Sequence, residues 1–168
     1  GITPLEMAHA YATIANGGQR VGGSILFHTP DSGITDPTMD PVSITRIEFP
    51  DGKTIVNTPV AVQAVPGNDA LQVLQAMRGV INYGTGKSAQ IGRPAVGKTG
   101  TTSDFKDAWF IGATPQRVAS VWVGYENPAR PMFTQYNGGP VFGGTIPALV
   151  WRDYMSQALR GQPREDWR

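Results

Sequence analysis

Val96-Gly97-Lys98-Thr99-Gly100-Thr101-Thr102, followed after four residues by Asp107-Ala108-Trp109-Phe110-Ile111-Gly112, is the stretch on which the reading of this chain turns. Val96, Thr99, Thr101 and Thr102 are β-branched and favour extended backbone. Two glycines interrupt the run, which in a strand marks a place where another backbone or a ligand comes close. Alternation puts Thr99 and Thr101 on one face, roughly 7 Å apart at the root, so their hydroxyls can converge on one anion. Lys98 adds a positive charge beside them, and Gly100 leaves the opposite face bare. An edge offering hydroxyls, an ammonium and backbone N–H groups suits a ligand with a carboxylate and a carbonyl. That is half of an acyl-transfer site.

Working outward, Ala95 to Thr102, Ala108 to Thr114 and Arg117 to Tyr125 read as three consecutive strands. Their short connections make neighbours antiparallel. Val118, Ser120 and Trp122 alternate with Ala119, Val121 and Val123, so both faces of the third strand are largely apolar. The third strand is therefore expected to be central and covered on both sides. The expected fold class is α+β, an antiparallel sheet flanked by helices.

The helices are legible too. Thr3-Pro4-Leu5-Glu6 is a capping box with proline at the first helical position, and Asn16-Gly17-Gly18 stops the helix after about Ala15. Leu5, Ala8, Ala12 and Ala15 form its expected packing stripe, with Met7, Tyr11 and Ile14 beside it. His9 reads as a structural residue. A second helix is expected from Ala70 to about Ile81, capped by Asn68 or Asp69, with Leu71, Val73, Leu74, Met77, Val80 and Ile81 buried. Asn82-Tyr83-Gly84-Thr85-Gly86 then forms a tight turn feeding the motif strand. Glu126 to Gly144 is a loop rich in Gly, Pro and aromatics, whose Tyr136 and Asn137 are candidates for lining a groove. A last amphipathic helix runs from Thr145 to about Arg160, stopped by Gly161 and Pro163. Trp109, Phe110, Trp122 and Trp151 read as core.

Between the first two helices lies an insertion at about 20–65. Gly22 to Pro41 is rich in Gly, Pro, Asp, Ser and Thr and reads as a surface excursion. Ser43–Phe49 and Lys53–Asn57 flank Pro50-Asp51-Gly52, a hairpin signal. The insertion reads as a decorated loop or, alternatively, as a docking flap for a glycan strand or partner protein.

Composition narrows the functions. Fourteen Lys and Arg against 13 Asp and Glu, with no basic run, give no nucleic-acid footprint. No cysteine is present, so there is neither a disulfide framework nor a thiolate nucleophile. His9 and His28 stand far apart in unlike settings, which disfavours a histidine metal site. No metal or organic cofactor is expected.

The run GKTGTTSDFKDAWFIG (97–112) resembles the third motif of class A, bifunctional penicillin-binding proteins, the peptidoglycan transpeptidases. ITPLEMAHAYATIANGG, GVINYGTGKSAQIGRPAVGKTGTT and FGGTIPALVWRDYM extend the resemblance over most of the chain, except from about Arg20 to Val65. It implies a penicillin-binding protein/β-lactamase-like fold, of which residues 1–168 are the C-terminal part of one transpeptidase domain. It also implies roles. Lys98 holds the proton network and local positive potential, and Thr99 and Thr101 bind the carboxylate of a stem peptide or β-lactam antibiotic. The Thr101 N–H donates to the oxyanion and Gly100 lets the substrate strand lie flat, while the G-T-G segment at 84–86 lies near the mouth of the family's active site. The catalytic candidates are thus Lys98 and Thr101; the substrate-binding ones are Thr99, Gly100, Thr101 and Thr102.

Two of the family's motifs are missing. Ser103-Asp104-Phe105-Lys106 spells S-x-x-K, but in a turn one residue past the strand, where serine and lysine do not stack on one helical face. Tyr125-Glu126-Asn127 falls after the strand, and no S-x-N occurs anywhere. The resemblance therefore implies that the nucleophile lies on an N-terminal part of the same domain, carrying S-x-x-K and S-x-N. The abrupt start at Gly1 is read the same way. This piece alone is expected to expose apolar surface, to be insoluble or partly molten, and to associate with that part. The family setting implies an extracytoplasmic site with an upstream membrane anchor. Two other readings stay open: a non-catalytic module binding cell-wall peptide or glycan, and a serine β-lactamase.

Overall fold

The computed structural model describes residues 1–23, 41–126 and 128–167. Most of the Gly22–Pro41 excursion, with His28, and Asn127 of the Y-x-N triplet lie outside the described residues. The order of elements is α1 (Pro4–Ala15), β1 (Gln19–Gly22), β2 (Arg46–Glu48), β3 (Thr54–Val56), β4 (Val60–Gln63), α2 (Gly67–Asn82), β5 (Val96–Thr101), β6 (Asp107–Ala113), β7 (Val118–Gly124) and α3 (Ile146–Ala158).

The capping box forms as the sequence dictates. Glu6 N–H donates to Thr3 Oγ1 at 3.2 Å, and Thr3 N–H donates to the Glu6 carboxylate at 2.7 Å. Leu5, however, is 64% exposed. The helix docks through its C-terminal half, where Tyr11, Ile14 and Ala15 meet Leu74, Met77, Val96 and Ala113, so its first turn overhangs. The second helix starts earlier than expected. Pro66, not Asn68 or Asp69, takes the cap position, with no side-chain capping bond; its carbonyl accepts from the Asp69 and Ala70 N–H groups. Ala70, Leu74, Met77 and Ile81 make the buried stripe of α2. Leu71 and Val73 lie about 100° to either side of it and are exposed.

β5, β6 and β7 form one antiparallel sheet in the order β5-β6-β7. Here the expectation for the third strand needs correcting. Among the described residues the central strand is β6, whose Ala108 and Phe110–Ala113 are buried, whereas β7 lies at an edge, half-buried along its length. The apolar content of β7 reflects helices packed on it, α1 and α3 both touching it, rather than strands on each side. Trp151 of α3 is fully buried, its ring 5.4 Å from that of Phe110, and its indole N–H donates to Gly112 O at 3.2 Å. A Cβ at Gly112 would stand 2.7 Å from the indole, so the close approach requires glycine there.

The hairpin around Pro50-Asp51-Gly52 is present as β2 paired with β3. A second ribbon, unforeseen from sequence, pairs β1 with β4 in antiparallel register from Gln19↔Gln63 to Gly22↔Val60 and closes the insertion at its base.

Candidate active site

The site is built on β5. Pairing runs Val96↔Ala113 to Thr101↔Ala108, and Thr102 N–H donates to Asp107 O at 3.0 Å. In an antiparallel ladder the bonded pairs alternate, so the N–H and C=O of Thr99 and Thr101 point away from β6, into the open edge of the sheet. The ammonium of Lys98 confirms that geometry: exposed, it curls over its own strand and donates to Thr99 O at 2.8 Å. One edge therefore presents the Lys98 ammonium and the outward N–H of Thr101 together.

The side chains of Thr99 and Thr101 project on the face shared with Ala108 and Phe110. Thr99 Oγ1 lies 2.8 Å from Thr85 Oγ1, in the turn after α2. Thr101 Oγ1 accepts the Gly143 N–H at 3.2 Å. The loop before α3 reaches this close because it is glycine: a Cβ at Gly143 would stand 2.2 Å from Trp109 O and 2.8 Å from the backbone of Gly100. Gly100 itself faces Trp109 on the other side of the sheet.

Thr102 differs from its neighbours. Its hydroxyl donates to the Asp107 carboxylate at 3.0 Å and accepts the Asp107 N–H at 2.9 Å, while the other carboxylate oxygen takes the Trp122 indole N–H. That group fixes the turn between β5 and β6 and leaves the Thr102 hydroxyl engaged away from the edge. Ser103–Phe105 is a single 3₁₀ turn, with Asp104 and Phe105 at positive φ (59° and 54°), so Ser103 and Lys106 do not share a helical face. Lys106 pairs instead with Asp104 at 3.4 Å. Tyr136 packs inward against Ala108, Met132 and Val141 in a tight turn with Gly139, and Asn137, at φ 51°, forms its tip.

Gly143 escaped the sequence reading; the Gly84-Thr85-Gly86 segment is placed near the active-site mouth by the resemblance alone, without its bond to Thr99. What the sequence could not give is which strand residue each meets: Thr85 meets Thr99, and Gly143 meets Thr101. A cavity of about 490 Å³ lies at the far end of the sheet, between α1 and the β6–β7 turn, away from the motif. His9 at its border is held by a bond of its Nε2 with Val21 O at 2.8 Å, a structural role. Next to β5 the chain supplies one face, with the Thr99 and Thr101 hydroxyls, and one edge, with the Lys98 ammonium.

The comparisons with known proteins identify the family. The family model of the penicillin binding protein transpeptidase domain matches residues 1–144, and the chain belongs to that family. It is 37% identical over 164 residues to penicillin-binding protein 1A of Neisseria lactamica, covering 96% of this chain and 18% of that protein. It is 30% identical to penicillin-binding protein 1A of Aquifex aeolicus, over 99% of this chain and 20% of that one. The chain thus spans about a fifth of the length of these relatives. Among solved structures, PonA1 of Mycobacterium tuberculosis superposes with a TM-score of 0.79 at 28% identity, over 98% of this chain and 40% of that one. A second PonA1 structure, in complex with penicillin V, gives the same TM-score. No helix among the described residues is long and apolar enough to cross a membrane.

Proposed function

We propose that this chain is the C-terminal part of a peptidoglycan D,D-transpeptidase domain that cross-links stem peptides by serine acyl transfer and is acylated by β-lactams. The reading is carried by one observation: the free edge of β5, where the Lys98 ammonium and the outward Thr101 N–H meet beside the Thr99 and Thr101 hydroxyls. Acyl transfer needs a nucleophile, a base and donors aimed at a developing oxyanion. This edge offers the last of these and a positive potential; the nucleophile comes from the N-terminal part of the domain, with its S-x-x-K and S-x-N motifs. Lys98 steadies the proton network and the carboxylate, Thr99 and Thr101 hold that carboxylate, and Thr101 N–H donates to the oxyanion. Gly100 keeps the edge flat for an extended peptide. Thr102 acts through Asp107, as a brace for the strand. The outer edge of β7 is available to a strand from the same N-terminal part. The expected setting is the extracytoplasmic face of the cell membrane.

The test is labelling of the full-length protein with a fluorescent penicillin. We expect a stable acyl-enzyme whose label maps to a serine outside residues 1–168, and a loss of about 10²-fold in acylation rate for Lys98→Ala, of the size seen when a transition-state donor is removed. A label on a serine within this chain, or no label at all, sinks the proposal, the latter in favour of a binding module. Rapid hydrolytic turnover of the antibiotic moves the assignment to a β-lactamase.

A further inference from the structure

The two hydroxyls of the motif strand are not held alike. Thr101 Oγ1 accepts a bond from a backbone N–H, that of Gly143, which can only donate. Its own hydrogen is therefore free to point at a ligand. Thr99 Oγ1 is bonded instead to another hydroxyl, Thr85 Oγ1, and either of the two can be the donor. Whether Thr99 offers a hydrogen or only lone pairs is decided by residue 85. A carboxylate at the edge settles it, because a charge-assisted bond is about twice as strong as a neutral one. Thr99 then donates to the anion, and Thr85 turns to donate to Thr99, each bond polarising the next.

The turn that carries Thr85 is built to hold it there. Gly84 N–H donates to Gly79 O and Gly86 N–H to Val80 O, both at 2.9 Å, closing the end of α2. A Cβ at Gly84 would stand 2.9 Å from Val80 Cα, and one at Gly86 2.9 Å from the Phe110 ring. On the other side, a Cβ at Gly144 would lie 2.2 Å from Thr85 O, so the loop before α3 closes directly on this residue. Glycine at three surrounding positions lets the turn press against α2, β6 and that loop. Thr85 is the residue left with a hydroxyl, and it meets the motif.

We propose that Thr85 is a positioning residue for carboxylate recognition: its hydroxyl donates to Thr99 Oγ1 and so commits the Thr99 hydrogen to the carboxylate of the incoming ligand. The proposal rests on the transpeptidase reading above. It does not place Thr85 in contact with the ligand.

The experiment compares acylation of the full-length protein by penicillin V and by its methyl ester, which lacks the anion. Thr85→Val keeps the shape and removes the hydroxyl; Thr85→Ser restores it. The expected result is a five- to tenfold slower acylation of Thr85→Val by penicillin V, about what one lost hydrogen bond amounts to. Its rate with the ester stays within about twofold of the unaltered protein, and Thr85→Ser recovers the penicillin V rate. In a Thr99→Val background the change at 85 has no further effect. Equal losses on acid and ester, no loss on either, failed rescue by serine, or a persisting effect without Thr99 each overturn the role of Thr85 while leaving the transpeptidase reading intact. If the unaltered protein is not acylated by penicillin V at all, both fall.

Discussion

The motif sheet and the ribbons of the insertion are held together by different forces. Around β5–β7, side chains interdigitate: Phe110 and Trp151 are fully buried against each other, and Gly97, Gly112 and Gly143 admit neighbours where a Cβ would clash. In the insertion every residue of β3 and β4 is exposed, and Val56, Val60 and Val62 turn apolar surface outward. Order there rests on backbone pairing and a few polar clasps. Asn57 Nδ2 donates to Gly23 O at 2.7 Å and to Ile44 O at 3.0 Å; Gln63 Nε2 donates to Gly17 O and Val65 O. The site strand is thus fixed by close packing, which tolerates little displacement. The ribbons are fixed by backbone pairing and a few side-chain hydrogen bonds with little apolar packing, and such structure opens locally.

Two substitutions put that contrast under strain. Trp151→Ala removes a fully buried indole, its edge contact with Phe110 and its bond to Gly112 O, and is expected to destabilise the domain by about 3–5 kcal/mol. Penicillin acylation should fall with it, since Gly112 pairs with Gly97 next to Lys98. A urea titration of the full-length protein, followed by tryptophan-independent circular dichroism, checks this; a midpoint unchanged within error breaks the comparison. Asn57→Ala strands two carbonyls, at a local cost of about 1–3 kcal/mol. Its effect should appear as faster amide exchange in β1 and β4, with acylation unaltered. Loss of acylation in Asn57→Ala would mean that the ribbons and the site strand form one cooperative unit.

The same contrast explains what could be read from the sequence. Strands β5–β7 were legible from β-branched and apolar runs between turns, α3 from its apolar residues and stop signals, and α1 from the capping box of Thr3 and Glu6, which is local by nature. The β2–β3 hairpin was legible from its turn. The β1–β4 ribbon was not, because its two four-residue strands are separated by dozens of residues and neither face is buried enough to leave a pattern. β7 read as central because apolar alternation reports covering, by helix or by strand alike. Lys98, Thr99, Gly100 and Thr101 were found through motif chemistry and do share one edge. Thr102 was grouped with them as part of the same motif run, yet its hydroxyl is taken by Asp107, a partner five residues on that the motif alone does not reveal. Thr85 is the opposite case: the resemblance puts its turn near the site, but its bond to Thr99 is visible only once that turn folds back.

The C-terminal tail after α3 tests the comparison from a third side, being irregular in backbone yet laid over the packed region. Arg93 donates to the carbonyls of Gln162 and Pro163, Trp167 donates its indole N–H to Ala15 O at 2.9 Å, and Arg78 grips Asp166 with both terminal nitrogens. The Arg78 hydrogen bonds hold the Asp166 carboxyl below the usual aspartate range, against desolvation and with further help from the Trp167 N–H and the Arg78 charge. A carboxyl with a lowered folded-state pKa contributes stability that is present above the unfolded value, near 3.9, and lost as pH falls through the folded one. The pair is exposed, so solvent screening limits that contribution to about 0–1 kcal/mol. Asp166→Asn should therefore lower the urea midpoint slightly at pH 7 and leave it unchanged at pH 2, relative to the unaltered protein. If the difference is the same at both pH values, the tail is held by the Trp167 contact rather than by charge, and belongs with the packed sheet instead of with the polar clasps.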